Sequence, residues 1–477
     1  MRRSTIIRDE RSVLNVDAFD IRRFQEIFQL SEELQRVREE SGFPAIESLL
    51  RDIWASLYKM KPVVRRSDVP ASLELNRTFL RELMQQEQFD RYRAYTKLDD
   101  LTSAICTSII GDKLNGWLME IQEGDAELEQ QLETVRNLQD EWAMDDIEET
   151  VEREATEELN EAAAELDDKL DMAFDTNRER FANMMDEAMD ETIHMKEGLI
   201  SLMGGTSTGK GEADMRKVPL REKLALADKL AADQQMKTIA EWAGRFKEIA
   251  HRKKRKEYID APERRGVMRG SDLERLLPAE LGLYTHSVAK LEFLRKFAEG
   301  ETMQYDQKKR ADSGKGPIVF CLDQSGSMSE LDNQAKGFIL ALLSIARQQG
   351  RDVSVILFST AVQRFTYSKG RMTAGELARM AKTYAGGGTD FTVALEEALQ
   401  VLADSAFKKG DVIFVTDGEE TISEAFADRF NERKKEKEFQ VLSLVMGKDP
   451  DAVSPFSDRT FHVTDFDEEG SYTAFEI

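Results

Sequence analysis

The chain has 477 residues, 41% hydrophobic and 33% charged, with a formal net charge of −24, which calls for two or three domains with ordinary cores. The charge is concentrated: residues 120–200 hold 28 acidic against 6 basic side chains, and the near-neutral remainder excludes a general affinity for nucleic acid, which needs clustered cations. Only two cysteines, Cys106 and Cys321, and four histidines exclude a disulfide framework and a Cys- or His-built zinc site.

Residues 1–118 read as an N-terminal helical domain. Phe24, Ile27, Phe28 and Leu30 fall at helical spacing, and so do Ile46, Leu49, Leu50, Ile53 and Leu57 between Pro44 and Pro62. A further helix carries Phe79, Leu80, Leu83 and Met84 on one face. The N-terminus lacks the apolar stretch of a signal peptide. No apolar run reaches the roughly 18–20 residues of a bilayer span. The expectation is a soluble, cytoplasmic protein.

Residues 119–305 read as long acidic helices followed by further helical chain. The run AELEQQLETVRNLQDEWAMDDIEETVEREATEELNEAAAELDDKLDMAF has no Pro or Gly. Leu128, Leu132, Val135 and Leu138 recur every three or four residues, as do Leu159, Ala162 and Leu166. That pattern predicts paired helices or a coiled coil, with acids on the outer faces. Gly204-Gly205-Thr206-Ser207-Thr208-Gly209-Lys210-Gly211 interrupts the helices. It nearly spells a phosphate-binding loop, but position 211 is Gly where a Mg2+-binding hydroxyl belongs, and a helix precedes it where a strand is required. It reads as a linker. The basic run His251-Arg252-Lys253-Lys254-Arg255-Lys256 reads as a solvated helix end or a contact to the acidic stretch, with a weak polyanion or membrane-surface contact as the alternative. A polar linker occupies residues 306–315.

From 316 to 477 the texture changes. Pro317-Ile318-Val319-Phe320-Cys321-Leu322 is an apolar run of the kind found in strands buried on both faces. Further strands are predicted at 353–358, 362–367, 412–416, 439–445 and 461–463. Helices are predicted at 338–346, 375–384, 391–402 and 423–437. Strands alternating with helices predict an α/β fold with a C-terminal doubly wound, mostly parallel sheet, preceded by an all-α N-terminal region with long acidic helices.

Three short motifs fall at strand ends or in loops: Asp323-Gln324-Ser325-Gly326-Ser327, Gly386-Gly387-Gly388-Thr389-Asp390 and Asp417-Gly418. Ligands of open α/β sheets bind at that edge. Carboxylate and hydroxyl oxygens suit a hard octahedral cation such as Mg2+ or Mn2+. With one or two carboxylates, hydroxyls and waters as ligands, a position stays open for a carboxylate of a partner. Taken singly, each motif residue could equally form a turn or cap a helix.

Together, in this order, the motifs resemble the metal-ion-dependent adhesion site of von Willebrand A domains, a Rossmann-like fold. The resemblance implies that Asp323, Ser325 and Ser327 supply the first loop, Thr389 the second and Asp417 the third. It also implies direct ligation by the two serine hydroxyls, with the aspartates often acting through water. Residues 270–281, GSDLERLLPAEL, then a helix, a linker and this domain, resemble the ViaA family of bacterial von Willebrand A proteins. That likeness covers residues 271–477 and is only architectural before 260. It implies a MoxR-family AAA+ ATPase, RavA in that family, as partner, and an adaptor role toward an unknown client protein.

Catalysis finds little support in the sequence. No Gly-x-Ser-x-Gly follows a strand. Cys321 reads as a buried small hydrophobe and His462 as a strand residue. The expectation is a non-enzymatic, metal-dependent adaptor with chaperone-like action. The alternatives are a metal-dependent phosphatase or nuclease using the same site, with Asp390, Glu419 and Glu420 as extra carboxylates, and a structural protein that associates through its acidic helices.

Overall fold

The computed structural model of the chain describes residues 12–463, apart from 66–68, 71–72, 87–88, 125, 143–148, 204–214, 261–266, 272, 274–275, 287, 306–315 and 447–448. The near-phosphate-loop at 204–211 and the linker at 306–315 therefore lie outside the described residues. The described chain forms two compact units. One is built from residues 12–203, 215–244 and 372–383, the other from 245–371 and 384–463.

The first unit is helical: α1 (Ala18–Leu30), α2 (Glu32–Glu40), α3 (Ile46–Tyr58), α4 (Glu74–Gln85), α5 (Phe89–Thr96), α6 (Asp100–Gly124), α7 (Ala126–Trp142), α8 (Glu149–Thr176), α9 (Arg178–Met203), α10 (Leu220–Ala232) and the first part of α11 (Gln234–Asp260). Local chemistry sets several of the starts. Asp17 and Asp20 form a reciprocal capping box on α1, and the Ser31 hydroxyl caps α2. The apolar stripes read from the sequence turn inward: Ile46, Leu49, Leu50, Ile53 and Leu57 are all buried. The acidic helices pair, though Leu138 and Ala162 of the predicted stripes are only half-buried and Ala163 turns inward instead. Leu128, Leu132 and Val135 of α7 and Leu159, Ala163, Leu166 and Leu170 of α8 are buried, while acids occupy the outer faces. Phe174 of α8 stacks on Trp117 at 4.7 Å and meets Phe181 edge-on, which fixes α8 and α9 against α6.

A short helix from late in the chain joins this unit. It spans Ala374–Lys382, packs on α10 and is held by an ion pair between Lys382 and Asp233 at 3.2 Å. Thr373 and Glu376 form its capping box.

The second unit contains a feature the sequence reading does not anticipate. β1 (Val267–Gly270) and β2 (Thr302–Tyr305) form a two-stranded antiparallel ladder inside a segment expected to be helical. Each strand is four residues long and its partner is more than thirty residues away, so no local pattern announces the pairing. Between them lie α12 (Pro278–Thr285) and α13 (Lys290–Ala298). In the basic run, Arg252 pairs with Glu248 at 2.7 Å on α11; the side chains of residues 253–256 lie outside the described set.

The sheet follows the predicted alternation. Its strands are β3 (Ile318–Asp323), β4 (Val353–Phe358), β5 (Val362–Tyr367), β6 (Asp411–Thr416), β7 (Val441–Val445) and β8 (Arg459–His462), in spatial order β5-β4-β3-β6-β7-β8. All neighbours are parallel except β4 and β5. The connecting helices are α14 (Asp332–Gln349), α15 (the Ala374–Lys382 helix described above), α16 (Phe391–Val401) and α17 (Glu424–Lys437). Every residue of β3 and β4 is buried, as a parallel sheet covered on both faces demands. On one face Phe358, Phe391, Phe414 and Phe456 interlock with centroids 5.1–6.2 Å apart. β3 has β4 on one side and β6 on the other, so the chain's direction of travel across the sheet reverses at β3. That crevice, outside the carboxyl ends of the strands, is where such sheets bind ligands.

Among the described residues, no helix is long and apolar enough to cross a membrane.

Candidate metal site at the sheet edge

β3 delivers Asp323 to the carboxyl edge of the sheet with none of its surface exposed. The next backbone amide, Gln324 N, donates to Phe358 O at 2.7 Å and carries the β3–β4 pairing one step further. The chain then turns sharply. Ser325 N donates to Asp323 Oδ1 at 2.9 Å, and Gly326–Glu330 winds into a single 3-10 turn. This turn sets the hydroxyl oxygens of Ser325 and Ser327 3.1 Å apart.

The second loop is anchored on both sides of Thr389. Gly387 O accepts from Gly326 N at 2.9 Å, and Tyr384 OH donates to Ser325 O at 3.2 Å. Asp390 N donates to Ser359 O at 3.0 Å. Thr389, half-buried, lies in the loop between these two anchors. The Asp390 carboxylate caps α16, accepting from Thr392 N and Val393 N at 2.9 and 3.3 Å.

The third loop leaves β6, which lies directly beside β3. Thr416 Oγ1 donates to Asp323 Oδ2 at 2.7 Å and accepts from Gly418 N at 3.2 Å, tying the third loop to the first. Asp417 is buried and its Oδ1 accepts from Glu419 N at 3.2 Å. Gly418 has φ +82°, and a Cβ there would collide with the carbonyl oxygen of Asp449. Only glycine therefore fits this turn.

The structure thus joins Asp323, Ser325 and Ser327 by direct hydrogen bonds, brings in Asp417 through Thr416, and seats Thr389 in a loop fastened to Gly326. Sequence reasoning did not single out Thr416, Gln324 or Tyr384 as contributors. Thr416 carries a signal in hindsight, since a threonine at the last position of a buried strand has a hydroxyl that must find partners.

The electrostatics suit a cation. Burial pushes the Asp323 carboxyl above its usual range; the Thr416 and Ser325 hydrogen bonds pull it back, and the charge of Asp417 raises it again. A dication between the two carboxylates would turn that repulsion into attraction. Mg2+–oxygen bonds of about 2.0–2.1 Å at right angles put neighbouring ligand oxygens about 3 Å apart, which is the spacing of the two serine hydroxyls. Both Asp323 oxygens already accept hydrogen bonds, which favours contact through water. Among the described residues no three His, Cys, Asp or Glu side chains gather to hold a metal, so an ion bound here would depend on hydroxyl and water ligands. The donor set fits Mg2+ or Mn2+ and suits soft metals poorly. Nearby, burial raises the Cys321 thiol, which keeps it protonated within β3, and His462 lies on β8.

Comparison with known proteins agrees with this architecture. Residues 249–433, which include all five candidate ligands, match the family model for VWA domain containing CoxE-like protein, VWA standing for von Willebrand A. Uncharacterized protein MJ0811 of Methanocaldococcus jannaschii is 24% identical over 470 residues, covering 96% of this chain and 98% of that one. A second protein of that organism, MJ0077, is 28% identical over 266 residues, 55% of this chain and 67% of the other. Regulatory protein ViaA of Photorhabdus laumondii is 27% identical over 169 residues, 32% of this chain and 35% of ViaA. The chain is thus similar to von Willebrand A proteins over residues 249–433, and its likeness to ViaA is confined to about a third of either chain.

Proposed function

We propose that this protein is a metal-dependent protein-binding adaptor that works with a MoxR-type AAA+ ATPase in chaperone-like remodelling of a client protein. The observation that carries this reading is the meeting of two carboxylates and two hydroxyls, from adjoining strands, at the ligand-binding edge of the sheet. Ser325 and Ser327 would hold Mg2+ or Mn2+ directly, Asp323 and Asp417 through water, and Thr389 from the facing loop. The ion supplies an open coordination position that a partner's carboxylate can take. The likeness to a protein named as regulatory supports a role exercised through other proteins. Two-metal hydrolysis with Asp390, Glu419 and Glu420 would need clustered carboxylates, and no group of three or more acidic, His or Cys side chains gathers to hold a metal among the described residues.

The experiment is capture of partners on the full chain with Mg2+ or with EDTA, beside the Asp323→Ala/Ser325→Ala variant. Retention of a AAA+ ATPase that needs both the ion and the intact loop supports the proposal. Binding that survives EDTA and the substitutions refutes the metal bridge.

A further inference from the structure

Directly behind the first metal loop lies a buried ion pair that the proposed function does not use. Lys336 and Asp332 stand four residues apart on α14. Lys336 Nζ donates to Asp332 Oδ2 at 2.6 Å, with side-chain exposures of 0% and 5%. Pairs at this spacing normally sit on helix surfaces, where they contribute a few tenths of a kcal/mol. A buried one costs desolvation of both charges, and apolar replacements are often as stable or more so. The strain shows in both partners: burial lowers Lys336 and raises Asp332, and each holds the other charged. Stability alone is thus a poor reason for this pair.

Its geometry supplies another reason. The second oxygen of Asp332 accepts from Gln324 Nε2 at 3.1 Å. Gln324 is wholly buried and sits between Asp323 and Ser325 in the metal loop. Its backbone amide is pinned to Phe358 of β4. The side chain and the backbone of one loop residue are therefore fixed to two different elements, and Asp323 and Ser325 project from the residues on either side. Lys336 fixes the orientation of the Asp332 carboxylate, and Asp332 fixes Gln324.

We propose that Lys336, acting through Asp332 and Gln324, is a positioning residue that holds the first loop in its ligating shape before an ion arrives. This rests on the metal-site reading above. Partners that orient metal ligands typically change affinity by about 10- to 100-fold when removed.

The test uses the full chain and two readouts. Titration calorimetry with MgCl2 gives affinity, and amide hydrogen exchange in EDTA gives the order of residues 324–328 relative to β3. Lys336→Met removes the ammonium and keeps the apolar stem. Gln324→Met leaves the ion pair and removes the amide that joins it to the loop, so it decides the question if Lys336→Met does not fold. Both are expected to weaken Mg2+ binding about 10-fold or more and to speed exchange in the loop while β3 stays protected. Asp332→Asn/Lys336→Met keeps an acceptor for Gln324 without a buried charge, and is expected to recover most of the affinity. Unchanged affinity and unchanged loop exchange in the single variants would overturn the proposal. A wild-type chain that takes up no Mg2+ would overturn the metal reading instead, and loop exchange in EDTA would still decide whether the tether orders the loop.

Discussion

Replacing Thr416 with valine keeps the branched shape inside β6 and deletes one oxygen. That oxygen makes two hydrogen bonds, one to the Asp323 carboxylate and one from Gly418 N. The first is charge-assisted and worth about 1.5–3 kcal/mol, the second about 0.5–1.5 kcal/mol. The variant should therefore lose about 2–4 kcal/mol of stability in the sheet unit. Asp323 should also rise further above its usual range, because the hydrogen bond that opposes the effect of burial is gone. All four tryptophans, at 54, 117, 142 and 242, lie in the helical unit. Tryptophan fluorescence therefore reads the helical unit, and amide exchange at β3 and β6 under increasing urea is the assay that reads the sheet directly. Metal linkage adds a second signal. Mg2+ at 100 times its Kd stabilises the native state by about 2.7 kcal/mol, and a tenfold weaker site at the same concentration gives about 1.4 kcal/mol. A variant within about 0.5 kcal/mol of wild type, with full stabilisation by Mg2+, would refute the idea that Thr416 joins the first and third loops.

Gly418→Ala places a side chain at φ +82° against Asp449; it should cost about 2–3 kcal/mol and weaken Mg2+ uptake, as seen by thermal melts with and without the ion. Phe174→Ala empties the aromatic contact with Trp117 and Phe181; chemical unfolding followed by tryptophan fluorescence should show a loss of about 3–5 kcal/mol with Mg2+ binding intact. Asp228, which accepts from the Ser31 hydroxyl and Glu32 N, is pushed up to about 6 by burial. Its folded form holds the proton after the unfolded chain has released it, so stability should fall as pH rises from about 4 to 6, by about 2–3 kcal/mol in all. Above that window the effect is constant. Urea unfolding across the range should show this slope in wild type and lose it in Asp228→Asn; parallel pH profiles for the two would contradict the assignment.

The parts of the fold that were legible in the sequence share a physical property: their neighbours matter only through burial. β3 and β4 are covered on both faces, so largely apolar runs announced them without any knowledge of partners. The inward stripe of α3 announced itself through its period. The β1–β2 ladder was not legible, because four-residue strands more than thirty residues apart carry no local pattern. The sequence reads residues 375–384 as a helix, but a helical pattern does not name the surface it packs on, and the place of α15 on α10 emerges only in three dimensions. The candidate ligands were legible as types in order, three motifs together at strand ends and loops, although each residue singly could also have served a turn or a cap. Their supports were not. Lys336 four residues after Asp332 looks like an ordinary solvated helix pair, and nothing in its spacing reveals that neither charge reaches water.

Calorimetric titration of the EDTA-stripped full chain with MgCl2 and with MnCl2, beside Ser325→Ala and Asp323→Ala, tests the metal site most directly. Uptake of one ion per chain by wild type, lost or weakened at least tenfold in each variant, is the expected result. Absence of binding in wild type, or equal binding in all three proteins, would contradict it.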